Sequence, residues 1–136
     1  MPSSTTSSDS VRVLLVDDND AMLARAAAAL TACCDIVGRA KDGRTAVEAA
    51  TTLRPDVIVL DISIPMMSGF EVAQRLRETG STAAIVFLTV HDGEDFVVAA
   101  KAVGGIGYVV KPRLASDLVV AVREAHAGRP FVSRLA

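Results

Sequence analysis

Four short apolar runs lie along this chain, and each one ends at a polar residue. The runs are VRVLLV (11–16), DVIVL (56–60), AIVFL (84–88) and YVV (108–110). Continuous apolar, β-branched runs of this length are typical of strands that are buried on both faces of a parallel sheet. The polar residues that end them are, in chain order, Asp17, Asp61, Thr89 and Lys111.

The segments between these runs carry apolar residues at helical spacing. Asp20 precedes AMLARAAAALTA (21–32) and is predicted to cap the first helix. Further helices are predicted at 43–53, 70–79, 94–103 and near 118–125, and residues 35–37 give a brief additional strand. Five strands alternating with five helices predict an α/β fold, a doubly wound parallel sheet with right-handed crossovers and helices on both faces.

Length and composition point to one domain. The 136 residues, 51% of them hydrophobic, can build a single core. The Ser/Thr-rich residues 1–10 have little apolar surface to bury, so a flexible tail is predicted there. The net charge of -2 shows no excess of basic residues of the kind that binds nucleic acid, so we expect no direct nucleic-acid binding by this chain.

No apolar run approaches the length that spans a bilayer, and the first residues lack the apolar core of a signal peptide. We therefore expect a cytoplasmic protein without a membrane partner. The adjacent Cys33 and Cys34 fit reduced thiols, because a bridge between neighbours would be strained and would close no useful loop.

The polar residues at the strand ends are predicted to converge. In an open parallel sheet, ligands bind beyond the carboxyl ends of the strands, which places Asp17, Asp18 and Asp61 in one pocket with Thr89 and Lys111. Three carboxylates brought together repel one another and require a cation. Mg²⁺ (or Mn²⁺) suits such a site, because it takes oxygen ligands, retains waters and commonly shares its site with a phosphate.

These groups match the needs of phosphoryl transfer. The reaction requires a carboxylate nucleophile, a metal that neutralises phosphate charge and fixed donors for the phosphoryl oxygens. Lys111 supplies a second cation and Thr89 a hydroxyl. Asp61 is the predicted phosphoacceptor, because it stands alone at a central strand end whereas Asp17 and Asp18 are paired as metal holders.

Four motifs, VLLVDDND, PDVIVLDISIPMMSG, FLTVHD and GYVVKP, resemble in order and interval those of response-regulator receiver domains. The resemblance covers residues 11–128. It implies a flavodoxin-like (βα)5 fold with strand order 2-1-3-4-5. It also implies a phosphoacceptor switch that receives its phosphoryl group from a sensor histidine kinase or phosphotransfer protein. The only activity implied for the switch is its own phosphorylation and dephosphorylation.

The same resemblance implies a role for each residue of the pocket. Asp18, Asp61 and the backbone carbonyl of Ser63 hold the metal, and Asp17 supports it through water. Lys111 and Thr89 bind the phosphoryl group, while Thr89 and Tyr108 form a switch in which the aromatic ring rotates inward. The bond between Lys111 and Pro112 is cis in many relatives, since proline reduces the preference for trans to about 0.5–1 kcal/mol.

Two residues depart from the family pattern. The position after Thr89 is usually small, whereas here it holds the branched Val90, followed by His91. Val90 is predicted to hinder access to the pocket and to prolong the life of the phosphoryl group. His91 flanks the same pocket and is a further candidate for tuning these rates, although a lone loop histidine is more often a surface residue.

The segment AVREAHAGRPFVSRLA resembles the end of the receiver and the start of the linker in LuxR-type helix-turn-helix regulators. Residues 129–136 are accordingly predicted to be a linker-like tail. The resemblance favours control of transcription through a DNA-binding domain absent from this chain, and it leaves room for a homodimer formed on phosphorylation. The alternative is a free-standing receiver that acts by protein contact.

Two other classes of protein share this arrangement. A small Mg²⁺-dependent phosphohydrolase would need a substrate-covering cap and usually a second acidic residue two positions after the acceptor, where this chain has Ser63. A flavodoxin-like cofactor carrier would need a phosphate-binding first loop. The loop here, DDND (17–20), is negatively charged and would repel the phosphate of a flavin mononucleotide.

Overall fold

A computed structural model of the protein describes residues 10–133. The strands and helices alternate as predicted, and their bounds are β1 Val11–Val16, α1 Asp20–Leu30, β2 Cys34–Ala40, α2 Gly43–Leu53, β3 Val57–Leu60, α3 Gly69–Glu78, β4 Ala84–Thr89, α4 Glu94–Ala102, β5 Gly107–Val110, α5 Leu114–His126 and β6 Phe131–Val132. A 3₁₀ turn at Lys111–Arg113 joins β5 to α5.

The strands form one parallel sheet of order β2-β1-β3-β4-β5-β6. The predicted order of the first five strands is confirmed. The sixth strand, β6, is an addition that the sequence analysis did not predict, and it lies parallel to β5 at the edge of the sheet. The sheet reverses its winding between β1 and β3, which is where an open sheet of this kind places its binding crevice.

Alternate residues of each central strand pack on opposite faces of the sheet. On one face, Val13, Val59 and Leu88 belong to a cluster with the apolar sides of α1 and α5. On the other face, Leu14, Leu60 and other strand residues pack against α2, α3 and α4. Burial on both faces explains why the strands are continuous apolar runs, and the rigid sheet fixes the positions of the residues that follow its strands.

Two local predictions are wrong. The residue that caps α1 is Asn19, whose side chain accepts a hydrogen bond from the backbone of Met22 at 2.9 Å, whereas Asp20 is already the first residue of the helix. The bond between Lys111 and Pro112, a candidate for a cis bond, is trans, and residues 10–133 contain no cis peptide bond. The trans form is the intrinsically favoured one, and it lets Pro112 enter the 3₁₀ turn that leads into α5.

The start of the predicted linker-like tail packs on the domain. Phe131 and Val132 form β6, and Ser133 is buried at its end. The predicted flexible residues 1–9 and the tail residues 134–136 lie outside the described part of the chain. Between residues 10 and 133, no helix is long and apolar enough to cross a bilayer.

Candidate functional site

Three aspartates meet at the carboxyl ends of β1 and β3. The carboxylates of Asp17, Asp18 and Asp61 each offer an oxygen within 4.8 Å of the others. The sheet positions two of them through its backbone: the amide of Asp61 donates to the carbonyl of Val16 at 3.0 Å, and the amide of Asp17 donates to that of Ala40, also at 3.0 Å. Asp17 and Asp61 are buried, whereas Asp18 is exposed at the mouth of the cluster.

Lys111 reaches this cluster from the end of β5. Its Nζ lies 2.8 Å from Asp17 Oδ2 and 3.0 Å from Asp61 Oδ2. Burial raises the pKa of the Asp61 carboxyl, and the nearby charge of Asp17 adds to the rise, although the ammonium of Lys111 opposes it. Burial alone would lower the pKa of Lys111, but its close contacts with the carboxylates of Asp17 and Asp61 raise it overall. One ammonium therefore compensates two buried carboxylates only in part.

The donor set at these strand ends fits a hard divalent cation. Among the described residues, Asp17 Oδ2 is the one buried side-chain oxygen that accepts no hydrogen bond of good geometry, although it is in ion-pair contact with Lys111. Buried polar atoms are normally satisfied. Three carboxylates with one oxygen unsatisfied and one partner exposed to solvent suit Mg²⁺, which binds through a few carboxylates and keeps several waters.

The loop after β3 is held close to Asp61. The amide of Gly69 donates to the carbonyl of Ile62 at 2.7 Å. A side chain at position 69 would place its Cβ 2.3 Å from the carbonyl oxygen of Asp61, so only glycine allows this approach. Ser63 lies in the same loop, with its amide 3.4 Å from Asp61 Oδ1. The loop thus places one backbone amide, that of Ser63, next to the Asp61 carboxylate.

Thr89 and His91 form the neighbouring wall, after β4. The Thr89 hydroxyl is fully buried and accepts a hydrogen bond from the amide of His91 at 3.3 Å. The His91 ring bonds to the Ser63 hydroxyl at 3.0 Å and stacks on Phe96, with the ring centroids 4.2 Å apart. His91 therefore links the loops after β3 and β4. Sequence reasoning missed the contact between His91 and Ser63, because the two residues lie 28 positions apart in different motifs. It also missed Phe96, which belongs to none of the motifs.

Tyr108 points into the domain. The residue is 2% exposed, and its hydroxyl donates to the carbonyl of His91 at 2.6 Å. Burial, and to a smaller degree the charge of Asp92, raises the pKa of Tyr108 to about 12, so the phenol remains a neutral donor. The predicted switch residues Thr89 and Tyr108 thus both make hydrogen bonds to the His91 backbone.

Val90 lies between these two contacts and points to solvent. Its side chain is 64% exposed, although it is large and apolar.

Cys33 and Cys34 are free thiols, and their sulfurs lie 3.3 Å apart. Burial raises the pKa of Cys34 to about 12. Neither cysteine belongs to the residues predicted to form the pocket, whereas Val90 lies between two of them, Thr89 and His91, in the chain.

A groove of about 770 Å³ opens at the opposite edge of the sheet, near the amino ends of the strands. Arg54, Asp56 and Ser81 are among the residues that line it. None of the residues predicted to form the pocket takes part in this groove.

Comparison with known proteins identifies relatives along most of the chain. The chain is 35% identical over 123 residues to the nitrate/nitrite response regulator protein NarL of Escherichia coli strain K12, covering 89% of this chain and 57% of that protein. It is 34% identical over 122 residues to the transcriptional regulatory protein LiaR of Bacillus subtilis, covering 88% and 58%. The chain therefore spans less than two thirds of the length of these relatives.

Solved structures agree with these relatives. A two-component response regulator of the LuxR family from Aurantimonas sp. SI85-9A1 matches with a TM-score of 0.83 and 29% identity, covering 90% of this chain and 89% of that one. The response regulator domain of Thermotoga maritima CheB matches with a TM-score of 0.82 and 28% identity, covering 89% and 99%.

The family model that matches is the response regulator receiver domain, over residues 13–123. That match includes every residue predicted to form the pocket, from Asp17 to Lys111, and the fold around them is the flavodoxin-like receiver fold. The predicted resemblance to the receiver half of LuxR-type regulators is confirmed. This chain belongs to the response regulator receiver domain family, a family of regulatory switches.

Proposed function

We propose that this domain accepts a phosphoryl group on Asp61 and responds by changing its surface. The observation that supports this most directly is the placement of the Asp61 carboxylate, which is buried beside Asp17 and Asp18 and hydrogen-bonded to Lys111 at 3.0 Å. A nucleophilic carboxylate needs positive charge nearby when the incoming group is itself negative. The site offers that charge from Lys111 and from the cation that the three carboxylates suit.

The proposed donor is a phosphohistidine of a sensor histidine kinase or phosphotransfer protein. One Asp61 oxygen attacks phosphorus, the P–N bond of the donor breaks, and the imidazole nitrogen keeps the electron pair and takes up a proton. The product is an aspartyl phosphate. Such transfer depends mainly on positioning and on stabilising the charge of the phosphoryl oxygens.

Mg²⁺ (or Mn²⁺) is the proposed cofactor, and it would neutralise charge on the phosphoryl group. Asp18 and Asp61 would hold it directly, together with the Ser63 backbone carbonyl, while Asp17 would support it through a water. Asp18 is the exposed member of the cluster, so it offers the ion a path from solvent. Asp17 Oδ2, which lacks a hydrogen bond, is the acceptor that a metal-bound water would satisfy.

Lys111 and Thr89 are the proposed partners of the phosphoryl oxygens. The Thr89 hydroxyl now accepts from the His91 amide, and its own proton remains available to donate. A turn of this hydroxyl toward a phosphate would release His91, whose carbonyl holds Tyr108. Thr89 and Tyr108 would thereby convert new charge at Asp61 into a rearranged surface near α4 and β5.

Control of transcription is the proposed output. LiaR is a transcriptional regulatory protein, and the chain matches only 58% of its length, as it matches 57% of NarL. A receiver of this family would act on a DNA-binding domain outside this sequence, with phosphorylation promoting a homodimer. A free-standing receiver that acts by protein contact is the alternative.

Phosphorylation in vitro tests the proposal. The chain is incubated with acetyl phosphate, with and without Mg²⁺, and its intact mass is measured. One added phosphoryl group is expected, only with the metal, in the parent chain and in Asp92→Asn, whose exposed carboxylate lies outside the cluster. Asp61→Asn should gain none. Equal labelling of Asp61→Asn and the parent would contradict the proposal.

A further inference from the structure

The segment formed by residues 131–133 completes the sheet beside β5. Its backbone joins the ladder, since the Phe131 amide donates to the carbonyl of Ile106 at 3.1 Å and the Ser133 amide donates to that of Tyr108 at 2.8 Å. Among the described residues 10–133, the segment pairs with one strand, β5, because it lies at the edge of the sheet. A strand of two residues at a sheet edge makes few backbone hydrogen bonds, so other contacts contribute to holding it in place.

The Ser133 hydroxyl supplies the most buried of these contacts. It accepts a hydrogen bond from the Val110 amide at 3.3 Å and donates one to Asp117 Oδ2 at 2.8 Å. The residue is 2% exposed. A hydroxyl can accept and donate at once, so Ser133 joins the last amide of β5 to a carboxylate in the first turn of α5.

Asp117 is a firm anchor for this hydroxyl. Its carboxylate also receives hydrogen bonds from Arg113 Nε at 2.9 Å and from the Ser116 hydroxyl at 3.0 Å. Burial alone would raise the pKa of Asp117, but its bonds to Arg113, Ser133 and Ser116 lower it overall, so the carboxylate is ionised. The weaker of the two Ser133 bonds is therefore the longer one, to Val110.

Val110 is directly followed by Lys111, whose Nζ bonds to Asp61 in the phosphoacceptor pocket at 3.0 Å. A continuous path of bonds thus leads from Asp61 through Lys111 and Val110 to Ser133. A phosphoryl group on Asp61 would place its oxygens beyond the present carboxylate, so the ammonium that follows them must move. The residue just before Lys111 is Val110, whose backbone amide is the one that holds Ser133.

We propose that the 131–133 segment is a latch that the phosphoacceptor pocket controls. In the unphosphorylated chain, Lys111 is bound to Asp17 and Asp61 and presents the Val110 amide to Ser133. Phosphorylation draws Lys111 outward, breaks the bond between Val110 and Ser133, and loosens the segment from β5. The role of phosphorylation rests on the proposed function, whereas the coupling between Lys111 and Ser133 does not. The latch would thereby transmit the change at Asp61 to the carboxyl-terminal end of the domain.

Amide hydrogen exchange, followed by NMR on the whole chain, tests the latch. The readout is the protection factor of the Phe131 and Ser133 amides, which is the ratio of the intrinsic to the observed exchange rate. The amide of the core residue Val59 reports global unfolding, so a loss of global stability is measured separately. Lys111→Met should lower the protection factor of the segment about threefold to tenfold, the effect of one lost hydrogen bond. Lys101→Met, which removes an exposed lysine of α4, should leave it unchanged. Phosphorylation with Mg²⁺ and acetyl phosphate should lower the protection factor by a similar amount.

Ser133→Ala provides the second variant. It removes both hydroxyl bonds, so protection of the segment should fall, and adding Lys111→Met should then have no further effect. Ser116→Ala, which removes another donor to Asp117 without touching β5, should retain the response to Lys111→Met. A protection factor unchanged by Lys111→Met, or additive losses in the double variant, would overturn the latch. A chain that takes no phosphate on Asp61 would refute the proposed function, and the Lys111→Met comparison would still decide on the latch.

Discussion

Lys111 at the end of β5 bonds to Asp61 at the end of β3, with 3.0 Å between Nζ and Oδ2. The contact crosses the width of β4 in the sheet, and the same ammonium lies 2.8 Å from Asp17. The cation is 12% exposed and each carboxylate 6%, so solvent screens this group weakly. Lys111 therefore stabilises the unphosphorylated domain by neutralising buried charge, in addition to its proposed role in binding phosphate.

Replacing Lys111 by methionine should destabilise the domain. The change leaves two buried carboxylates without their ammonium, and removing one partner of a buried ion pair costs about 3–5 kcal/mol. We expect the free energy of unfolding in urea to fall by about 3 kcal/mol without Mg²⁺, and part of the loss to return with Mg²⁺. Lys101→Met is the exposed control and should lie within about 0.5 kcal/mol of the parent. Equal stability of the two variants would contradict the part assigned to Lys111.

Asp18 should control the affinity for Mg²⁺. Asp18→Asn removes the exposed carboxylate of the cluster, and we expect the dissociation constant for Mg²⁺, measured by titration, to rise at least tenfold, or about 1.4 kcal/mol. The parent chain should gain thermal stability with Mg²⁺ and lose the gain on adding a chelator. Asp20→Asn is the matched control, because Asp20 pairs with Lys41 outside the cluster. Unchanged Mg²⁺ affinity in Asp18→Asn would exclude Asp18 as a ligand.

The pocket could be predicted from the sequence because strand ends are easy to recognise. Asp17, Asp61 and Lys111 each follow an apolar run, and a parallel sheet brings its carboxyl ends to one edge. The sequence gives no comparable signal for β6, since Phe131 and Val132 are two apolar residues after a proline and show no period. Burial of Ser133 depends on its tertiary contacts with Val110 and Asp117, and no local pattern encodes them.

The misplaced helix cap and the missed histidine contact have physical causes as well. Asn19 and Asp20 are both good caps by residue type, and the entry angle of the chain decides between them. The His91 ring meets Ser63 from a different loop, 28 residues away in sequence. Neither outcome follows from spacing or composition, because each depends on how packed elements orient a loop.

Val90 should prolong the life of the phosphoryl group. Val90 directly follows the buried Thr89 in the chain, and its exposed branched side chain would obstruct the water that hydrolyses an aspartyl phosphate. We expect Val90→Ala to shorten the half-life of the phosphorylated chain about threefold or more. Val98→Ala is the matched control, because Val98 is 62% exposed and Val90 64%. An unchanged half-life in Val90→Ala, or equal changes in both variants, would count against shielding by Val90.

Asp117 should make stability depend on acidity. Its pKa in the folded chain is lowered, so its contribution to stability is present above its unfolded pKa, about 3.9, and is lost as pH falls through the lower folded value. We expect Asp117→Asn to be less stable than the parent by about 1–3 kcal/mol at pH 7. In urea unfolding from pH 7 to pH 3, the difference should narrow toward acid. A constant difference across that range would contradict the lowered pKa.

Borohydride trapping identifies directly which residue carries the phosphoryl group. The chain is phosphorylated with Mg²⁺ and acetyl phosphate, the acyl phosphate is reduced with borohydride, and peptides are sequenced by mass spectrometry. Reduction converts a phosphorylated aspartate into homoserine, which marks its position. We predict homoserine at position 61 and none at positions 17 or 18. Homoserine at position 17 or 18 instead, or at no position in a chain that has gained phosphate, would contradict Asp61 as the phosphoacceptor.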